Sequence, residues 1–347
     1  PRLVQVLDIA QGPVSSFALH YFVVFIPVAW LYGIYNLSVV LFALVDRVLP
    51  KREHALGAAD TPVAVLYTTC NDFVETSALS CAKLDYEHFR VYILDDSSDP
   101  EIMGKIDRFA ARYDHVQVVR RKNRVGFKAG NLNHALGNVV QEPLFVIADS
   151  DEILPRDFLR VLVPRINGDP DCGFIQANHR CLQRGTKLQR DMCHGVDVHW
   201  KWYQPLRNRF GFVMFLGHGA ILRRNCWQMV GGFPEVVSED LAYAIAIREQ
   251  GYYGTFAEDV TCFEEFPETV RSFRVRHVKW TRGTCEFLHR YGLDLLLSNR
   301  MPWSEKLDIL FPTANLPVTL FFFLYMIIAA IVLPIAIGER SILTLEA

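Results

Sequence analysis

Two long stretches without a formal charge constrain this chain most. No Asp, Glu, Lys or Arg occurs from Ile9 to Val45, and none from Ile309 to Gly338. Each run exceeds the roughly 20 apolar residues that cross a bilayer core, and buried helices of soluble domains rarely run so long uncharged. The sequence therefore predicts one transmembrane helix on each side of a polar middle. Pro27, Pro312, Pro317 and Pro334 read as kinks, because neighbouring groups in a membrane helix satisfy the freed carbonyls. Arg47, Lys51 and Arg52 follow the first run, and Arg290, Arg300 and Lys306 precede the second, whereas the outer flanks offer only Arg2 and Arg340. The positive-inside rule then puts the middle in the cytoplasm, in a protein integral to an inner or plasma membrane. Two spans alone rarely make a pore. With Pro1 in place of Met and no signal-peptide pattern, the chain reads as a piece of something longer, with further membrane helices or domains outside it.

Composition narrows the middle. Thirty-six Lys plus Arg against thirty-eight Asp plus Glu give a net charge of -2, so no basic field exists to hold nucleic acid. With 51% apolar and 21% charged residues, disorder is excluded. The eight cysteines, at 70, 81, 172, 181, 193, 226, 262 and 285, form no C-x-x-C pair and no Cys/His cluster at zinc spacing. They read as reduced thiols.

From about Thr61 to Phe266 the pattern becomes short β-branched runs alternating with helical stretches. VAVLYTT, VYILDD, VQVVRR and LFVIADSD each end in polar residues, as buried parallel strands do when their carboxyl ends face a ligand crevice. ETSALSCAKL and EIMGKIDRFAARY between them have helical spacing. This alternation predicts an α/β doubly wound sheet, with KREHALGAAD at 51–60 as the nearest thing to a linker and no internal repeat.

The candidate chemistry sits at these strand ends. Asp149-Ser150-Asp151 follows LFVIA, and two carboxylates one residue apart can grip a hard divalent cation, which in turn bridges a diphosphate. Phosphatases of the haloacid-dehalogenase type also use such a pair, but on an early strand with Thr or Val where this chain has Ile153. Asp95-Asp96 ends a second strand and TTCND at 68–72 the first; a carboxylate there accepts from a base imide or ribose hydroxyls, or simply caps a turn. The P-loop and Rossmann glycine patterns are both missing, so a nucleotide must be held by side chains and a metal.

VLYTTCND, ILDDSS, GFKAGNLNHAL at 126–136, DSD, GHGAILRR at 217–224 and GGFPEVVSED at 231–240 occur in that order. The chain thereby resembles the membrane-integrated family 2 inverting glycosyltransferases, the group of cellulose, β-glucan, hyaluronan and chitin synthases, over roughly 61–290 and the flanking helices. The resemblance implies a GT-A (nucleotide-diphospho-sugar transferase) fold. It also implies donor contacts from Thr69, Asn71 and Asp72, with Cys70 where the family has an aromatic, from Asp95 or Asp96, and from Lys128, Asn131 and Asp149. Mg²⁺ or Mn²⁺ would sit on Asp149 and Asp151. Ser238-Glu239-Asp240 matches the family's Ser/Thr-Glu-Asp motif and makes Asp240, with Glu239 beside it, the catalytic pair. Inversion needs a base opposite the leaving group to take the acceptor's proton. The same three residues also read as a helix N-cap with acids in the first turn, and Lys128 and Asn131 as a helix start.

Arg276-His277-Val278-Lys279-Trp280 stands where processive members carry Gln-x-x-Arg-Trp. Trp280 would face an acceptor sugar and Lys279 the diphosphate, though Lys lacks the bidentate fork of Arg. Arg276 in place of Gln leaves processivity open, and the whole basic stretch also fits a helix lying at a lipid interface. His218 is a candidate acceptor-site residue. The segment 191–209, with His194, His199, Trp200 and Trp202, reads as an amphipathic insert. The expected organisation is a membrane region at 1–50, a catalytic domain at 51–270, interfacial helices at 271–308 and a membrane helix at 309–347. The expected function is transfer of a sugar, glucose first, from a UDP-sugar to a growing β-linked glycan, or non-processively to a lipid or short acceptor. Expected partners are the donor, the glycan acceptor and the bilayer. A transporter or scaffold with a degenerate nucleotide domain is the rival from another class.

Overall fold

The computed structural model describes residues 7, 12–50, 54–182 and 185–337. The chain divides into two compact units, Pro50–Asp308 and the pair Pro1–Leu49 with Ile309–Ala347. Of the flanking charges, Arg2, Lys51, Arg52 and Arg340 lie outside the described residues.

Within Pro50–Asp308 the four expected strands form as β1 (Val63–Thr69), β2 (Phe89–Asp95), β3 (Val116–Val119) and β4 (Leu144–Asp149). The apolar stretches of β1, β2 and β4 are buried almost without interruption, as strands covered on both faces must be. Helices α1 (Glu75–Ala82), α2 (Pro100–Ala110) and α3 (Phe127–Asn138) connect them. The chain continues through β5 (Glu152–Ile153), α4 (Phe158–Asn167), β6 (Cys172–Cys181), α5 (Lys187–Val198), a π-helical turn His199–Tyr203 and α6 (Gln204–Phe210). It ends with β7 (Ala220–Arg223), α7 (Arg224–Met229), α8 (Glu239–Glu249), β8 (Tyr253–Glu264) and α9 (Val270–Leu297).

All eight strands form one sheet in the order β3-β2-β1-β4-β7-β6-β8-β5. The first four pair in parallel, β7 runs antiparallel to both β4 and β6, and β6 is parallel to β8. The predicted doubly wound α/β sheet is present, and its second half is mixed. A core of apolar side chains from β1, β2, β4, α1 and α4, including Tyr67, Ile93, Val146 and Phe158, packs beneath one face.

Register decides what the sheet does. Thr69 stands opposite Asp95 and Thr68 opposite Asp149, so the polar ends of β1, β2 and β4 meet at one edge. Ligands of open α/β sheets bind at such carboxyl edges.

Helix Pro13–Val45 and the helical stretch Trp303–Ile335, which enters the other unit at Ile309, are each long and apolar enough to cross a membrane. Tyr21 and Tyr32 donate to the carbonyls of Phe321 and Phe311 at 2.7 and 3.0 Å, and Phe22 stacks on Tyr325 with ring centroids 5.4 Å apart. Val24, Trp30, Ile34, Leu320 and Phe323 are exposed, a distribution suited to lipid rather than water.

Candidate active site

Two adjoining clefts open in the Pro50–Asp308 unit. One, of about 1030 Å³, is lined by Thr68, Thr69, Asp72, Asp96 and Asn131. The other, of about 1290 Å³, is lined by His199, Trp200, His218, Asp240 and Trp280. Lys128, Asp149, Asp151, Glu239, Arg276 and Lys279 line both. That shared wall is the junction of the two spaces.

On the first cleft, Asp72 accepts from the Thr69 hydroxyl at 2.8 Å and from the Cys70 amide at 2.7 Å, which fixes the loop after β1. Asn71 sits at φ +63°, an orientation Asn tolerates. Its side chain binds the Ser98 hydroxyl and the amides of Ser98 and Asp99. Asn71 thus ties two loops together and lines neither cleft. Asp95 is buried and accepts from Arg120 at 2.7 Å and from the Ser97 amide at 2.9 Å; it lines neither cleft. Asp96 lines the first, where Arg121 forks onto both its oxygens at 2.9 and 2.7 Å. Asn131 is buried, donates to the Leu94 carbonyl at 3.2 Å and keeps its Oδ1 unpartnered.

Helix α3 begins after Gly126 at φ +73°, a left-handed turn that aims Lys128 at the sheet edge. Its Nζ lies 2.5 Å from Asp149 Oδ1 and 3.1 Å from the Gly217 carbonyl, and Thr68 donates to the same Oδ1 at 2.8 Å. Burial alone would push the Asp149 carboxyl up, but Lys128 outweighs it and holds the carboxyl below its ordinary range. Asp151 is raised instead, by burial and by the negative charge of Asp149, against the pull of His218 and Arg276, the latter 3.3 Å away.

Across the junction, Glu239 and Asp240 occupy the first turn of α8, where the helix dipole favours negative charge. Ser238 holds the N-cap position but makes no side-chain cap bond. Burial, and for Glu239 the neighbouring Asp240, raise both carboxyls, Glu239 to about 7, against the pull of Lys128. Gly217, at φ +87°, lets the loop run against Asp240. Gly283 of α9 does the same for Ser238, whose hydroxyl a Cβ there would meet at 2.7 Å.

His218 follows Gly217. Its Nδ1 lies 3.4 Å from Glu152 Oε1 and its Nε2 3.7 Å from Glu264 Oε2. Although burial disfavours the charged ring, Glu152 and then Asp149 and Glu264 lift it to about 10, so it carries positive charge at neutral pH. Behind it, His179 Nε2 is 2.9 Å from the same Glu152 oxygen, and both residues are fully buried. Cys262 completes a group whose ligand-type atoms lie within 4.8 Å of one another. Glu152 is thereby a buried carboxylate surrounded by donors, the usual way a buried charge is tolerated. These contacts join residues far apart in the chain, which is why no zinc-like spacing signals them.

The wall contributed by α5 and the π-helical turn is the other feature that motif reading misses. Trp200 is buried, packs on His179 at 4.4 Å between centroids and lines the larger cleft with His199, whose ring burial and Arg207 push down to about 3. Cys181 and Cys193 form a disulfide between the end of β6 and α5, correcting the expectation of eight reduced thiols; the fold, not sequence spacing, brings them together. Trp280 is half exposed and Lys279 exposed, both on α9.

Asp149 and Asp151 offer oxygen donors only, the set preferred by Mg²⁺ or Mn²⁺ rather than by softer metals. The raised Asp151 carboxyl, crowded by Asp149, is the group such a cation would relieve. The residues fit a hard divalent cation.

A family model described as glycosyl transferase family group 2 matches residues 144–334, more than half of the chain. Glucomannan 4-beta-mannosyltransferase 2 of Arabidopsis thaliana is 26% identical over 291 residues, covering 80% of this chain and 53% of the relative. Glucomannan 4-beta-mannosyltransferase 1 of Cyamopsis tetragonoloba is 25% identical over 268 residues, 72% of this chain and 50% of the relative. The chain spans about half the length of these relatives. Among solved structures, the mannosyltransferase PcManGT from Pyrobaculum calidifontis, in complex with GDP-Man and Mn²⁺, is similar over 96% of this chain and 100% of its own, with a TM-score of 0.57 at 20% identity. The likeness is one of fold, and it makes the sheet GT-A-like.

Proposed function

The chain belongs to glycosyl transferase family group 2, and from that premise we propose that it is a membrane-bound inverting hexosyltransferase that builds a β-linked glycan. The observation that carries this reading is the junction of the clefts. There Lys128 and the Asp149–Asp151 pair line both spaces, and Asp240 lines only the larger one. A donor lying in the first cleft would present its diphosphate at the junction, with its sugar toward Asp240.

In the proposed reaction the Asp240 carboxylate takes the acceptor hydroxyl's proton. The hydroxyl oxygen bonds to the anomeric carbon from the face opposite the leaving group. The bond from that carbon to the phosphate oxygen breaks, and its electron pair leaves with the nucleoside diphosphate. A raised carboxyl makes Asp240 a better base than an exposed aspartate. Lys128 donates to the diphosphate oxygens. A divalent cation held by Asp149 and Asp151 supplies neutralisation of the diphosphate charge when bound. Trp280 and His218 lie on the acceptor side in this reading, and Thr69, Asp72 and Asp96 on the nucleotide side.

The names of the relatives move the donor sugar to be tested first from glucose to mannose, with GDP-mannose as donor; UDP-glucose is the second. The domain limits of the sequence reading and a cytoplasmic catalytic unit complete the proposal. The test is to incubate the full-length protein in membranes with GDP-mannose, UDP-glucose and UDP-N-acetylglucosamine plus Mn²⁺, and to measure nucleoside diphosphate release and product linkage. Release with GDP-mannose and a β-linked product support the reading. No release with any donor removes it and leaves the scaffold alternative.

A further inference from the structure

Arg276 is one of the two residues, with Lys279, at which this chain departs from the Gln-x-x-Arg-Trp pattern, and the proposed reaction leaves it without a task. Its guanidinium sits on the wall shared by both clefts. Nη2 lies 3.3 Å from Asp151 Oδ2, with the two side chains 30% and 33% exposed. The remaining contacts are weak: Nη1 is 3.5 Å from the Glu265 carbonyl, and the guanidinium carbon is 5.8 Å from the centre of the Phe266 ring. Lys279 stands one helical turn further along α9, on the same face.

We propose that Arg276 is a shared counter-ion that alternates between two anions, the Asp151 carboxylate and the diphosphate of the donor. The proposal rests on the assignment of the divalent cation to Asp149 and Asp151. A guanidinium and a cation compete for the one negative charge of Asp151, so a cation held there weakens the hold of Asp151 on Arg276. An ion pair about a third exposed and 3.3 Å apart is a weak one and exchanges readily. Once released, the planar fork of Arg276 can grip two phosphate oxygens at the junction, which the point charge of Lys279 cannot do. Arg276 is therefore a donor-binding residue whose free-state partner is the metal ligand itself, and it takes over the bidentate role that Lys at position 279 leaves unfilled.

The test uses the full chain in nanodiscs. Mn²⁺ alone is titrated and followed by the electron paramagnetic resonance signal of the free ion. GDP and UDP are then titrated calorimetrically in saturating Mn²⁺. Arg276→Gln is expected to bind Mn²⁺ about 2- to 5-fold more tightly, the reach of a partly exposed ion pair. It is expected to bind the preferred nucleotide at least about 10-fold more weakly, the cost of a charge-assisted hydrogen bond. Arg276→Lys should fall between wild type and Arg276→Gln in both titrations. Unchanged or weaker Mn²⁺ binding by Arg276→Gln, or unchanged nucleotide binding, overturns the proposal. Asp151→Asn separates the two layers. If it leaves Mn²⁺ affinity unchanged, the cation assignment fails and Arg276 falls with it. If it abolishes Mn²⁺ binding while Arg276→Gln alters neither titration, only the role of Arg276 is refuted.

Discussion

Gly219 offers the sharpest test of how the site is built. It sits at φ +59°, and a Cβ there would fall within 3 Å of both His179 Nε2 and Glu152 Oε1. Both neighbours are fully buried and cannot swing aside into solvent. Gly219→Ala therefore carries three costs. The left-handed backbone costs about 1 kcal/mol, overpacking against fixed atoms about 1–3 kcal/mol, and loosening the Glu152–His179 hydrogen bond about 1–3 kcal/mol. Gly251 provides the control, because it has φ +97° but nothing within 4 Å of its added Cβ, so Gly251→Ala carries only the backbone cost. At about 2–4 °C per kcal/mol for a domain of this size, Gly219→Ala should lower the melting temperature by roughly 10 °C and Gly251→Ala by only about 3 °C. Differential scanning fluorimetry of the detergent-solubilised full chain reads both. Equal losses would show that the His218 loop does not rest on a rigid Glu152–His179 pair, and the account of how His218 is held would fail.

Asp240→Asn keeps the side chain's size but cannot accept a proton, so turnover should fall about 10² to 10⁴-fold while donor affinity, measured calorimetrically, holds; a parallel collapse of affinity would make Asp240 a binding residue. Asp151→Ala should raise the donor dissociation constant strongly and abolish any dependence of binding on Mn²⁺, and full turnover in excess chelator would refute the metal assignment. Burial raises the Asp240 carboxyl, so the acid limb of the activity profile should lie above the range of an exposed aspartate, and Glu239, raised to about 7 by burial and the charge of Asp240, should add a separate titration that Glu239→Gln removes. The stability contribution of Glu239 runs the other way. A carboxyl whose folded pKa exceeds its unfolded one holds its proton more tightly in the fold, so its stabilisation is full below about pH 4.5 and is lost as pH rises through about 7, which denaturant melts of wild type and Glu239→Gln can separate. Trp280→Ala should shorten products at nearly unchanged nucleotide affinity, as read by product-length distributions on folded protein; unchanged lengths and rates would take Trp280 out of the acceptor site.

What the sequence reveals and what it conceals divide along a physical line. A parallel strand buried on both faces must be a continuous apolar run, and its polar residues must collect at the carboxyl end. VAVLYTT and LFVIAD announce themselves as strands, and Asp149 and Asp151 as groups at a ligand edge, for that one reason. Asp95 and Asp96 show where the rule stops. Two identical acids stand side by side at the end of β2, where the pleat sends successive side chains to opposite faces. One turns inward, where Arg120 must satisfy it, while the other reaches the cleft but is already forked by Arg121. Those arginines directly follow β3, some 25 positions away, and nothing local in DDSS foretells them. Glu152 follows the same logic more strongly, since it reads as the residue after a metal motif yet needs His179 from β6 and His218 from the loop before β7 to be buried at all. Local pattern thus reports which groups reach the ligand edge, whereas the counter-ions that fix their charge come from elements that only the fold brings near. Arg276 belongs to that second class, and for this reason its pairing with Asp151, rather than its place in a motif, carries the argument about what it does.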